Sequence, residues 1–110
     1  MTFAEYQKKA LTTAINDPDP LMAKTIWAMG VAGEAGEVIE KWKKIVAYQA
    51  GQISQADLED LASELGDVVW YVSVFADQLG LKLEDILKLN LAKLQSRKAR
   101  GVIKGAGNNR

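Results

Sequence analysis

Residues 54–80 read SQADLEDLASELGDVVWYVSVFADQLG. Leu58, Leu61, Leu65, Val68, Val72, Phe75 and Leu79 recur at alternating steps of three and four, the spacing that puts one apolar stripe along an α-helix. Ser54 stands where an N-cap belongs, with Asp57 three residues on to close a capping box. Gly80 is placed to end the helix as a left-handed C′ residue. Beside the apolar stripe, Glu64-Leu-Gly-Asp67 sets two carboxylates three residues apart, so both project from one helix face.

The preceding segment repeats this arrangement. Asp19 can cap a helix with Pro20 at its first position, and the helix runs to about Ala47 or Ala50. It carries Glu34-Ala-Gly-Glu37 and then Glu40. Gly30, Gly33 and Gly36 lie inside it, each costing up to ~1 kcal/mol of helix propensity. Such glycines point to close approach of a backbone or ligand, or to a break in the helix. A first helix spans Thr2 to about Ile15, ended by Asn16-Asp17-Pro18-Asp19-Pro20. A fourth runs from about Leu83 to Arg97 or Arg100, where Gly101 stops it. No strand pattern or repeat stands out. The expected architecture is an all-α, antiparallel four-helix bundle over residues 1–100, followed by an irregular, glycine-rich, basic tail over 101–110.

Composition narrows the chemistry. The 110 residues contain 14 Lys and Arg against 14 Asp and Glu, so no net field favours nucleic acid or an anionic membrane. The charges are unevenly placed, because no acid follows Asp85 while Lys88, Lys93, Arg97, Lys98, Arg100, Lys104 and Arg110 do. With no cysteine and no histidine, thiolate and imidazole metal sites are excluded. A bound metal must be a hard cation held by oxygen, Mg²⁺ or Mn²⁺ ahead of Ca²⁺; Mg²⁺ is the expected cofactor, with Mn²⁺ as a substitute. No apolar run reaches membrane-spanning length and no leader pattern precedes the first helix, so the cytoplasm is the expected compartment.

At 100° per residue, Trp27, Gly30, Glu34, Glu37 and Lys41 share one stripe of the second helix. Asp60, Glu64, Asp67 and Tyr71 share one on the third, and Ile86, Asn90, Lys93 and Arg97 one on the fourth. Taken alone, each has a plain explanation. A Glu-x-x-Glu pair is commonly a solvated face, Trp27 and Trp70 suit a core, and Lys93 with Arg97 complements a helix C-terminus. Taken together, four carboxylates on two paired helices repel one another and are costly to desolvate without a cation among them. Acids for a metal, cations for phosphates and aromatics for a flat ring are the three requirements of a metal–nucleotide complex.

The text Met29-Gly-Val-Ala-Gly-Glu-Ala-Gly-Glu-Val38, 26 residues between Glu37 and Glu64, and Glu64-Leu-Gly-Asp-Val-Val-Trp-Tyr71 together resemble the MazG-like, all-α nucleoside triphosphate pyrophosphohydrolases. The likeness extends through Asn90-Leu-Ala-Lys93-Leu-x-x-Arg97 and covers most of the chain from Leu21 onward. It implies that Glu34, Glu37, Glu64 and Asp67 bind Mg²⁺, with Glu34 or Glu37 orienting the attacking water. It further implies that Asn90, Lys93 and Arg97 meet the nucleotide and its phosphates, with Trp27 and Tyr71 at the base or sugar. The implied reaction converts a nucleoside triphosphate to the monophosphate and pyrophosphate, in a homodimer or homotetramer serving nucleotide-pool housekeeping. The competing expectation is a non-catalytic helical oligomer that binds metal or nucleotide.

Overall fold

The computed structural model describes residues 1–110 and contains four helices and no strand: α1 (Phe3–Leu11), α2 (Pro20–Gln49), α3 (Gln55–Gln78) and α4 (Leu83–Ala99). None is long and apolar enough to cross a membrane. Local capping chemistry starts the first three. The Thr2 hydroxyl accepts from the Glu5 amide while the Glu5 carboxylate accepts from the Thr2 amide, at 3.1 and 2.7 Å. Asp19 accepts from the Leu21 amide with Pro20 at the first helical position. Ser54 and Asp57 form the same reciprocal box, at 3.1 and 2.9 Å.

α1 is shorter than its apolar spacing predicts. The hydroxyls of Thr12 and Thr13 bond back to the carbonyls of Lys9 and Ala10, at 2.6 and 3.0 Å, and the chain leaves the helix there. At the far end of α3, Gly80 takes φ 73° and the Leu81 amide reaches back to the Ala76 carbonyl. A side chain at Gly80 would be strained in that conformation. α4 begins without a local cap, since Lys82 makes no side-chain capping bond. Its first amide, on Leu83, instead donates to the Oε1 of Gln7 on α1, at 3.0 Å. Gln7 is buried, and its Nε2 donates to the carbonyls of Ser73 and Leu81, both at 3.1 Å. One side chain therefore joins α1, α3 and α4.

α2 and α3 form an antiparallel hairpin, the principal packing of the molecule. α1 packs on α3 and α4; α4 meets α3 sparsely and α2 not at all. A single chain thus does not close the four-helix bundle expected from its periodicity. The reason is visible in the apolar stripe of α3, where Leu58, Leu65 and Leu79 each remain about half exposed. Ten of 110 residues are buried, and the radius of gyration is 16.9 Å, against about 13 Å for a compact domain of this length.

Candidate metal and nucleotide site

Gly30 on α2 lies against the Tyr71 ring on α3, so closely that a Cβ at Gly30 would overlap the ring. From that contact the register runs evenly. Four residues along α2 and four back along α3 bring Glu34 to Asp67, and seven more each way bring Lys41 to Asp60, whose charges are 3.5 Å apart. α2 is an unbroken helix through Gly30, Gly33 and Gly36, and the latter two face open space within the chain. The helix breaks at none of these glycines, and what approaches Gly30 is a side-chain ring rather than the backbone or ligand expected.

This register gathers carboxylate oxygens of Glu34, Glu64 and Asp67 within 4.8 Å of one another. Glu34 and Glu64 are half-buried and Asp67 is exposed. Partial burial, and then the negative charges of Asp67, Glu64 and Glu37, raise the Glu34 pKa above the ordinary carboxyl value. Glu37 is exposed and does not join the three-residue group. Glu40 is turned away: its carboxylate pairs with Lys43 at 2.8 Å and Lys44 at 3.9 Å, and the Lys43 hydrogen bond lowers its pKa. Lys41 stands 3.8 Å from Glu64 and supplies the one cation paired with the cluster. Three carboxylates with one lysine at the edge leave an uncompensated negative site of oxygen donors only. That donor set fits a hard divalent cation.

The other candidate residues lie in an aromatic cluster beside the acids and along α4. Trp27 is buried, its indole N–H donates to Asn16 Oδ1 at 2.8 Å, and its ring packs edge-on to Trp70 with centroids 5.5 Å apart. Trp27 thus packs tightly within the chain, 7 % exposed and with its indole N–H engaged. Tyr71 meets both tryptophans, at 5.9 and 4.9 Å, and is half-buried one turn beyond Asp67. Asn90 and Lys93 line a cavity of about 430 Å³ on α4 with Ile86, Leu89 and Asn108. Arg97 is 5 % exposed and is covered by the tail. The acidic cluster and the α4 cations are not brought together, since α4 does not reach α2.

A model of the MazG nucleotide pyrophosphohydrolase domain matches residues 24–102, which include both acidic motifs and the α4 stripe. The chain belongs to this family. Among its relatives, the Gene 37 protein of Mycobacterium phage L5 is 48 % identical over 109 residues, covering 96 % of each chain. The Uncharacterized protein YvdC of Bacillus subtilis (strain 168) is 33 % identical over 72 residues, covering 58 % of this chain and 65 % of that protein. No solved structure matches the chain significantly. The MazG match spans α2, α3 and α4 and begins after α1.

Two residues, Tyr6 and Asn108, escaped the sequence reading. Asp60 and Lys41 were on the right stripes, but only the hairpin register pairs them. Tyr6 on α1 lies close enough to Asp67 that, after burial, the carboxylate's charge helps raise its phenol pKa. Asn108 sits in the tail, 11 residues beyond Arg97, the last periodic helix position, where spacing carries no information about what it touches.

Proposed function

We propose that this MazG-family chain is a Mg²⁺-dependent nucleoside triphosphate pyrophosphohydrolase, with Mn²⁺ able to substitute. The observation that carries this reading is the convergence of Glu34, Glu64 and Asp67 across the α2–α3 hairpin. These three carboxylates would hold the cation. When bound, it neutralises charge on the phosphate chain and on the departing pyrophosphate. Glu37 is one helical turn from Glu34, close enough for its charge to act there, yet outside the three-carboxylate group. It is thus the free base best placed to orient water and accept its proton. The water oxygen bonds to the α-phosphorus, the bond from that phosphorus to the bridging oxygen breaks, and the products are the monophosphate and pyrophosphate.

Lys93 and Asn90 supply the phosphate-facing side of the site. Because α4 stays clear of α2 in one chain, the two halves meet through association of copies as a homodimer or a homotetramer. The α2–α3 hairpin supports this with apolar side chains left in water: Met29 is 68 % exposed, Ile39 65 % and Leu65 52 %. Burial of that face would complete the bundle that periodicity calls for. The cytoplasm, where nucleoside triphosphates and Mg²⁺ are held, is the compartment this reaction requires, and pool housekeeping is the role it fits.

The test is a panel of canonical and modified nucleoside triphosphates with Mg²⁺, scored for monophosphate and pyrophosphate. Turnover that disappears in Glu37→Gln, with Mg²⁺ binding retained, is the expected result. Tight Mg²⁺ binding by wild type without turnover of any triphosphate would leave a metal- and nucleotide-binding oligomer instead.

A further inference from the structure

Residues 101–110 do not trail from α4 but fold back over it. The Val102 amide donates to the Arg97 carbonyl at 2.9 Å, starting the reversal. Asn108 is then seated on the α4 cations. Its backbone carbonyl accepts from Arg97 Nη2 at 2.8 Å, and its side-chain Oδ1 accepts from both Arg97 Nη2 at 3.2 Å and Lys93 Nζ at 3.1 Å. Arg110 closes the loop from within, its guanidinium donating to the carbonyls of Gly107 and Ile103.

The orientation of the Asn108 amide follows from chemistry. Lysine and arginine only donate, so the atom between them must be the oxygen. With Oδ1 held by two cations, the Nδ2 group makes no hydrogen bond within the chain and is left as a free double donor. Asn108 also lines the α4 cavity with Asn90 and Lys93. The charge around it has little internal compensation: of the seven cations beyond Asp85, only Lys88 forms an ion pair, with Glu84 at 3.3 Å. Arg97 is nearly fully buried beneath the loop, its Nε has no partner, and burial followed by the charges of Arg110 and Arg100 lowers its pKa.

We propose that Asn108 is a phosphate-contacting residue of the nucleotide pocket, and that Arg97 is the positioning residue that fixes it there. The proposal deepens the triphosphate reading above and rests on it. Phosphate oxygens accept hydrogen bonds and carry negative charge, so an amide whose oxygen is locked away offers them donors alone. An asparagine also leaves the positive charge of Lys93 and Arg97 intact, where an aspartate would cancel part of it. Arg97 touches no ligand in this arrangement. It acts through the two bonds it gives Asn108, which revises the sequence expectation that Arg97 itself meets phosphate.

The decisive variant is Asn108→Asp. It keeps the shape and both acceptor bonds, so the melting temperature should hold or rise. It also replaces the free donor with a negative oxygen facing the ligand. Binding of inorganic triphosphate, followed by calorimetry, should weaken by about tenfold or more. Asn108→Ala should weaken it less, and Arg97→Gln should add nothing further in the Asn108→Ala background. Wild-type affinity in Asn108→Asp would overturn the proposal. So would tighter binding in Asn108→Ala, which would make the loop a cover over the pocket, or an undiminished Arg97→Gln effect in the double variant. Asn108-dependent triphosphate binding without nucleotide turnover would refute the enzymatic reading and leave this inference standing. Turnover insensitive to Asn108→Asp would refute this inference alone.

Discussion

The Tyr71 ring on α3 occupies the space above Gly30 on α2 where any other residue would place its Cβ. This contact pins the register that also sets Glu34 beside Asp67, so a packing detail governs the geometry of the acidic cluster. Gly30→Ala gains up to ~1 kcal/mol of helix propensity but forces a methyl into the ring, an overpacking that typically costs 1–3 kcal/mol. The expected balance is a lower melting temperature together with weaker Mg²⁺ binding. A stabilised Gly30→Ala protein with normal metal affinity would show that the hairpin adjusts freely.

Glu34 tests the electrostatics. Its pKa is raised in the folded chain, so the native state binds its proton more readily than the unfolded state does. The associated stability is present below the ordinary carboxyl pKa and is lost as pH rises through the raised value. Metal-free protein should therefore lose stability with rising pH across that window, and Glu34→Gln should flatten the loss. Thermal melts in chelator at several pH values check this. The same variant should no longer be stabilised by added Mg²⁺.

Lys41 bridges Asp60 and Glu64 and is about one-third exposed, so its ion pairs contribute little in saturating Mg²⁺, on the order of 0–1 kcal/mol. In chelator its role grows, because no other cation is paired with the cluster. Lys41→Met should lower the melting temperature more without Mg²⁺ than with it. Equal shifts in both conditions would place Lys41 outside the electrostatic balance of the site.

Gln7 controls the placement of α4. Replacing it with leucine leaves the carbonyls of Ser73 and Leu81 and the Leu83 amide without their partner. The Leu83 amide is buried, and leaving it without a partner costs about 1–3 kcal/mol. Gln7→Leu should be among the most destabilising substitutions in the chain, and should impair triphosphate binding through Lys93 although Gln7 lies on a different helix. Urea unfolding and calorimetry on the same samples separate the two effects.

Much of the fold is legible because its signals are local. The Ser54 and Asp57 box, Pro20 after Asp19, the stripe from Leu58 to Leu79 and Gly80 each act within a turn or two of helix. The paired acids were legible for the same reason, as spacing alone puts Glu64 and Asp67 on one face. Which carboxylates converge depends on the register between helices. There Gly30 and Tyr71 select Glu34, Glu64 and Asp67 and leave Glu37 outside.

By itself, then, the sequence determined the helices, their polar faces and the oxygen-only character of any metal site. Only the tertiary structure decided that Trp27 is spent on Asn16, that Gln7 caps a helix 76 residues away, and that Asn108 returns to Lys93 and Arg97. The physical reason is reach. Capping and periodicity are short-range preferences written residue by residue, whereas a buried amide or a docked loop finds its partner only once the chain has closed around it.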